Sequence, residues 1–251
     1  MNKDLRRALA PTGILRAAIN LGNPMLATAK ASGLSGISVN LAQRLAHFLD
    51  VPLHLSPFNS ARHAVAAVRQ MQADIGFFAI DEERSTEIYF SRPYVLIDGC
   101  FLVRDASSIT DIKAIDHVGI RVAVGRGSAY DLFLTRHLKS AHIIRAATSS
   151  AVVELFLNED LEVAAGVRQH LESDMARHKG LRLIMPAFMI IPQAMALPGS
   201  CPQLALRFLE WFIDDAIREG FIRDSIKNHG LAGVRIAPAS EITRSFRFPS
   251  E

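Results

Sequence analysis

The sequence predicts an α/β protein of two lobes, each a mostly parallel sheet flanked by helices, with two strands crossing between them. Strand and helix patterns alternate through residues 15–79, which favours parallel strands with right-handed crossovers. The alternation restarts after residue 104, and β-rich stretches at 99–103 and 189–197 stand where the chain would cross. We therefore predict a discontinuous first lobe, residues 1–103 with 198–251, and an inserted second lobe, residues 104–197.

The first lobe follows from hydrophobic periodicity and turn residues. A strand at 15–21 ends in a Gly-Asn-Pro turn, a second turn is expected at 33–36, and a helix with one apolar face follows at 38–49. A strand at 51–55 precedes a helix at 61–71, which Ser60 can cap, and a strand at 73–79. Helices at 203–219 and 221–229 complete the lobe, and residues 236–251 read as a tail laid over it or partly disordered.

The second lobe repeats the alternation. Strands are predicted at 119–124, 143–146, 162–166 and 181–185, and helices at 129–138 and 149–157. Ser128, with Asp131 three residues later, forms a capping pair before the first of these helices. Residues 167–172 read as a loop or the start of a helix.

Composition excludes several classes of function. A chain of 251 residues with 49% hydrophobic content can bury a sizeable core. Its net charge of +3, without a basic block, argues against nucleic-acid binding. No run approaches the roughly 20 apolar residues of a membrane span. The nine histidines lack metal-ligand spacing, and no phosphate-binding glycine loop occurs, so we expect no metal and no cofactor.

One stretch, residues 73–104, carries a specific resemblance. A strand is followed by Asp81-Glu82-Glu83-Arg84, then by Phe-Ser-Arg-Pro-Tyr at 90–94, with a turn at 91–93 and a crossing strand at 99–103. This order resembles the family 3 bacterial solute-binding proteins, the polar amino-acid receptors of ABC importers. The resemblance covers residues 13–232. It implies a periplasmic-binding-protein fold of type II, non-catalytic binding of a small carboxylate-bearing solute in a cleft between the lobes, a monomer, and an ABC permease as partner.

The resemblance places five first-lobe residues at the cleft. Arg84 would grip the carboxylate of the solute, because a guanidinium matches a carboxylate with two parallel hydrogen bonds; the alternative is a surface arginine paired with a nearby glutamate. Phe77, Ala79 and Asp81 end the third strand, where alternation would direct one of two phenylalanines to the core and the other to the pocket. Asn23 would face the cleft after the first strand, or simply form the turn.

In the second lobe the resemblance selects the start of a helix. Ser128 and Ala129 would offer a hydroxyl and backbone N–H groups to the same carboxylate, aided by the helix dipole; the hydroxyl also suits a helix cap. Tyr130 would reach the cleft beside them. Val167 stands where amino-acid receptors carry the acid that pairs with the ligand's ammonium group, and Arg168 and Gln169 follow it. We therefore expect an acid without a free α-amino group, or with a second anionic group.

Two alternatives to a transport receptor remain open. A cyclohexadienyl-dehydratase-like enzyme would need an acid in the cleft, and Asp81 is the only candidate. A cytosolic sensor, or a receptor without a transporter, would share the same two lobes. Residues 1–10 are charged and contain no apolar signal region, so a chain starting here would stay in the cytoplasm, whereas the family resemblance implies the periplasm. Cys100 and Cys201 are two buried hydrophobes or a bridge near the lobe boundary.

Overall fold

A computed structural model describes residues 3–238. The chain divides into two compact units: Met1–Leu96 with Pro192–Glu251, and Ile97–Ile191. The predicted boundaries, 103/104 and 197/198, lie inside the two long strands that run from one unit to the other. Unit 1 and unit 2 below refer to these two parts.

Unit 1 contains most of the helices. In chain order its elements are α1 (Lys3–Leu9), β1 (Leu15–Asn20), β2 (Thr28–Lys30), β3 (Gly33–Ser35), α2 (Ile37–Leu49), β4 (Leu53–Phe58), α3 (Ala61–Arg69), β5 (Ile75–Ala79) and α4 (Glu82–Ser85). Strand β6 (Ile88–Arg104) then enters unit 2. The chain returns through β10 (Leu181–Pro198) to α8 (Gln203–Arg218), α9 (Phe221–Asn228) and β11 (Arg235–Ile236).

Unit 2 contains β7 (Arg121–Gly125), α5 (Ala129–His137), β8 (His142–Ala146), α6 (Val152–Asn158), β9 (Val163–Val167) and α7 (Arg168–Arg177). Its strands β7, β8 and β9 are parallel, and β9 also pairs antiparallel with the second half of β6. One core cluster joins the sheet to α6 through Phe156, Val152 and Val153.

The sheet of unit 1 is parallel in its centre. Strand β1 lies between β4 and β5 and is parallel to both, while the end of β10 pairs antiparallel with β5. All five residues of β5 are buried, because side chains of α3 cover one face: Phe78 packs with Ala64 and Val68. The α/β architecture and the order of its elements therefore agree with the prediction.

Three local predictions are wrong. Residues 91–93 do not turn but continue β6, where the Ser91 hydroxyl accepts a hydrogen bond from the Met195 N–H of β10 at 3.1 Å. Residues 33–35 form the second strand of a hairpin, whose turn lies at residues 31–32. The strands predicted at 181–185 and 189–197 are one continuous strand, β10.

The predicted tail and the two cysteines can also be compared with the structure. Ile236, the first residue of the predicted tail, belongs to β11, which pairs with β6, and residues 239–251 of that tail lie outside the described part. Cys100 and Cys201 are both free thiols, so the bridge considered above is not formed.

Gly36, which precedes α2, gives a direct test of this packing. Its φ is +136°, and an added Cβ would lie 2.2 Å from the Leu26 carbonyl oxygen. We expect Gly36→Ala to lower the free energy of unfolding by about 3 kcal/mol or more, since backbone strain and a clash add together. Gly33→Ala is the matched control, because Gly33 has φ +113° but no atom within 4 Å of its added Cβ. Equal losses in urea denaturation would contradict the close approach of Gly36 to Leu26.

Candidate functional site

Two predicted site residues of unit 1, Asp81 and Arg84, follow the carboxyl end of β5. Asp81 begins α4: its Oδ1 accepts a hydrogen bond from Glu83 N at 3.0 Å, and its backbone carbonyl accepts from the Ser85 hydroxyl at 2.9 Å. An aspartate at this position satisfies a backbone N–H that a helix start otherwise leaves unpaired. The short helix α4 therefore exists because of Asp81, and it turns Arg84 back toward the strand.

Arg84 is a buried cation, with only 6% of its surface exposed. Its Nη1 donates a hydrogen bond to the Ala79 carbonyl oxygen, 3.0 Å away. Burial lowers the pKa of Arg84 to about 10, an effect that the negative charges of Asp81 and Glu83 partly oppose. At neutral pH the guanidinium is charged, and a nearby anionic group would stabilise that charge.

The strand residues Phe77 and Ala79 lie in the buried strand β5. Phe77 and Phe78 are each 1% exposed, so neither ring is distinguished from the other by exposure. The reason is that both faces of β5 are covered, which removes the outward face that alternation assumes. Ala79 offers its carbonyl, which accepts from Arg84.

Asn23 forms a turn after β1. Its Oδ1 accepts a hydrogen bond from Met25 N at 3.2 Å, and its carbonyl accepts from Leu26 N at 3.0 Å. An asparagine that binds the backbone two residues later is a typical turn former. The side-chain oxygen of Asn23 is therefore used locally, as the alternative interpretation held.

In unit 2, Ser128 caps α5. Its Oγ accepts a hydrogen bond from Asp131 N at 3.0 Å, and Ala129, half-buried, is the first helical residue. The buried carboxylate of Asp131 accepts in turn from Gly127 N at 2.8 Å and from Arg145 Nε at 2.9 Å. The start of α5 thus already holds an anionic group of the protein itself.

Tyr130 points into unit 2. Only 3% of it is exposed, and burial raises the pKa of its hydroxyl, although hydrogen bonds with the side chains of Ser149 and Ser128 and with the main chain of Gly125 act in the opposite direction. Gly125 is needed here, since an added Cβ would lie 2.9 Å from the Tyr130 hydroxyl oxygen. The hydroxyl of Tyr130 therefore joins an internal network.

Arg168 and Gln169 open α7, a helix whose preceding residue, Val167, supplies no side-chain cap. Arg168 is partly exposed, and its Nε donates to Glu172 Oε1 at 2.8 Å, so its charge is offset one turn along the helix. Gln169 differs: its Oε1 and Nε2 are buried, and no protein group in residues 3–238 hydrogen bonds to either atom. A buried amide without partners costs about 1–3 kcal/mol, so this position calls for an explanation.

Two ion pairs of the structure were not predicted from the sequence. Arg92, the variable residue of the Phe-Ser-Arg-Pro-Tyr motif, forms an ion pair with the fully buried Asp214 of α8. Arg145 pairs with Asp131 in the same way. Each pair joins residues from different elements, so only the capping pattern of Ser128 and Asp131 could have signalled part of it.

Over residues 3–238, no group of three histidine, cysteine, aspartate or glutamate side chains is arranged to hold a metal ion. Within the same described residues, no helix is both long enough and apolar enough to cross a bilayer.

Comparison with solved structures identifies the class of fold as that of the type II periplasmic binding proteins. A mutant of ArgBP from T. maritima has a TM-score of 0.76 at 17% identity, covering 90% of this chain and 99% of that one. A binding component of an ABC transporter from Wolinella succinogenes DSM 1740, complexed with lysine, has a TM-score of 0.74 at 20% identity, covering 86% and 95%. The ancestral amino acid-binding protein AncCDT-1, a precursor of cyclohexadienyl dehydratase, has a TM-score of 0.74 at 18% identity, covering 90% and 99%.

The chain belongs to the bacterial extracellular solute-binding proteins, family 3, whose sequence model matches residues 15–231. A search of curated protein sequences gives no match. The family establishes a solute-binding protein, and the fold is that of the solved binding proteins compared above.

The cap of α5 predicts a measurable stability effect. Ser128→Ala removes the acceptor for Asp131 N, so we expect the free energy of unfolding to fall by about 0.5–2 kcal/mol. Ser128→Asn retains a capping oxygen and should lose little. Ser150→Ala, at an exposed serine nearby, should stay within about 0.5 kcal/mol of the parent. If Ser128→Ala and Ser150→Ala had the same effect in chemical denaturation, the capping role would be refuted.

Proposed function

We propose that this protein binds a small carboxylate-bearing solute without converting it, as the substrate-binding component of an amino-acid-type ABC importer. The observation that carries the proposal is the buried charge of Arg84 directly after β5. A buried guanidinium gains most from a partner that can accept two parallel hydrogen bonds and neutralise it, and a carboxylate does both. Family membership supplies the transport context.

The proposal extends to partners and location. We propose that the protein is a monomer, that it delivers its solute to an ABC permease, and that it acts outside the cytoplasmic membrane as the name of its family implies. A cytosolic sensor of the same fold is the alternative. Uptake of a labelled solute that depends on this chain would favour the importer, and unchanged uptake without the chain would favour the sensor.

The chemistry of the proposed solute follows from the residues of each unit. Val167 leaves no carboxylate where the family resemblance implies one for the ligand's ammonium group. A buried ammonium without a partner costs several kcal/mol, which disfavours neutral and basic amino acids. Arg168 is already paired with Glu172, so the structure supports an acid lacking a free α-amino group more than one with a second anionic group. The Wolinella protein is complexed with lysine, so the opposing expectation is that the solute is a basic amino acid.

Gln169 adds a further element of recognition. Its buried amide offers a donor NH2 group and an acceptor oxygen at the start of α7, and a polar group on a ligand would satisfy both. We therefore propose that the start of α7 hydrogen bonds to a hydroxyl or amide group of a bound ligand.

Catalysis is not part of the proposal, although AncCDT-1 is described as a precursor of cyclohexadienyl dehydratase. The one acid that the sequence offered, Asp81, uses its carboxylate to begin α4.

A thermal-shift panel tests the ligand class and the role of Arg84 together. We expect hydroxy acids and simple carboxylic acids to raise the melting temperature more than lysine, arginine or glutamine. The effect is large enough to measure, because a ligand at 100 times its dissociation constant adds roughly 2.7 kcal/mol to the free energy of unfolding. Arg84→Ala should remove the shift relative to the melting temperature of the unliganded variant, and Arg84→Lys should retain part of it.

Arg69→Ala is the matched control, since Arg69 is an exposed arginine of unit 1 paired with Glu87. The largest shift from a basic amino acid would refute the proposed class of solute. An unchanged shift in Arg84→Ala would instead refute the assignment of Arg84. Consumption of prephenate or arogenate above background would overturn the non-catalytic assignment.

Gln169→Met should change stability and binding in opposite directions. Methionine keeps the length of the side chain and removes the buried unsatisfied amide, so we expect the unliganded protein to gain about 1–3 kcal/mol. The solute-induced shift should fall, because the donor and acceptor are lost. Gln72→Met, at an exposed glutamine, should change neither quantity appreciably. A loss of stability in unliganded Gln169→Met would show that the amide has a structural role.

A further inference from the structure

A cavity that is partly open to solvent lies in unit 1 at the amino end of β5, the end opposite to Arg84. It has a volume of about 310 Å³ and is lined by α1, the start of β1, the segment before β5 and the turn from β10 into α8. The antiparallel pairing of Ala196 with Gly76 brings the end of β10 to the amino end of β5. Arg84 follows the carboxyl end of the same strand, whose five residues span roughly 16 Å at 3.3 Å per residue. The cavity is therefore separate from the proposed solute site.

An ion pair forms one side of the cavity and gives it a fixed shape. Arg16 and Asp74 are joined twice, by Nη2 to Oδ1 at 2.6 Å and by Nε to Oδ2 at 3.1 Å. Arg16 N also donates to Asp74 Oδ2 at 2.8 Å, and Arg16 Nη2 donates to the Met71 carbonyl at 3.0 Å. These groups satisfy one another, so this side of the cavity is polar but carries no unbalanced charge.

The remaining wall is largely apolar and stiff. It includes Pro11, Leu197, Pro198 and Pro202. Proline rings have almost no side-chain freedom to lose, so such a wall does not readily collapse into an empty space. Met71, which is 59% exposed, adds apolar surface that a ligand would cover.

Helix α1 contributes two charged residues to the lining, Asp4 and Arg7. Asp4 already has a partner, whereas Arg7 is exposed and makes no hydrogen bond and no ion pair within residues 3–238. A ligand with its apolar body against the proline-rich wall could place a carboxylate beside Arg7. The volume accommodates on the order of ten water molecules at about 30 Å³ each, which is the size of a short alkyl or aryl acid.

We propose that this cavity is a second binding site, specific for a compact apolar carboxylate whose charge is held by Arg7. The proposal does not depend on the proposed function, because it uses none of the residues assigned to the transported solute. It gives the protein a site on unit 1 that a molecule other than the solute can occupy.

Cys201 lines the cavity and reports on it directly. Its thiol is half-buried, and burial raises the thiol pKa to about 11, so modification is slow and sensitive to further covering. We would follow modification of the full chain by N-ethylmaleimide at pH 8 with peptide mass spectrometry, adding hexanoate as the probe and hexylamine as its charge control. Cys100, which is fully buried, serves as the internal measure of unfolding.

We expect hexanoate to slow the modification of Cys201 at least threefold, and hexylamine to have no such effect. Arg7→Glu should abolish the protection, whereas Lys3→Glu, on the same helix but outside the cavity lining, should retain it. Protection should persist in Arg84→Ala, which separates this site from the proposed solute site. Equal protection by hexanoate in Arg7→Glu, or none in the parent protein, would overturn the proposal; loss of protection in Arg84→Ala would overturn the separation of the two sites.

Discussion

Complete burial of strand β5 is the constraint on which unit 1 depends. Its five residues are covered on both faces, so they can contribute only apolar side chains and backbone hydrogen bonds. Polar chemistry is therefore confined to the two ends of the strand. Asp74 precedes it and is neutralised by Arg16, while Asp81 follows it and begins the helix that turns Arg84 inward. The cavity lined by Arg16 and Asp74 lies at the amino end of the strand, and Arg84, the residue proposed to bind the solute, follows its carboxyl end.

Helices α5 and α7 of unit 2 differ in how the backbone groups at their starts are satisfied. At the start of α5, Ser128 accepts a hydrogen bond from Asp131 N, the Asp131 carboxylate accepts from the preceding Gly127 N, and Arg145 balances the added charge. Helix α7 begins after Val167 without a side-chain cap, and the buried amide of its second residue, Gln169, has no hydrogen-bond partner within residues 3–238. Such an unsatisfied group costs free energy. The polar groups at the start of α5 are therefore satisfied locally, whereas the amide at the start of α7 is not.

Some buried charges inside the two units are matched by a partner from another element. Arg92 with Asp214 and Arg145 with Asp131 are examples, and each joins a strand to a helix. Breaking such a pair leaves an uncompensated buried charge, which is strongly destabilising. Arg168 is different because it is partly exposed and its partner Glu172 lies on the same helix, where a pair adds only a few tenths of a kcal/mol.

The sequence alone determined the α/β class, the alternation of elements, the family resemblance and the position of Arg84 after a buried strand. These depend on local periodicity, turn residues and a short motif, all of which are properties of neighbouring residues. It could not determine that residues 91–93 continue a strand, because the hydrogen bond from Met195 N to Ser91 comes from a residue far along the chain. Nor could it show that Phe77 and Phe78 are both buried, that Arg168 is neutralised, or that the Gln169 amide has no partner among residues 3–238. Burial and pairing are set by residues distant in sequence, so only the tertiary structure decides which polar groups remain available for a ligand.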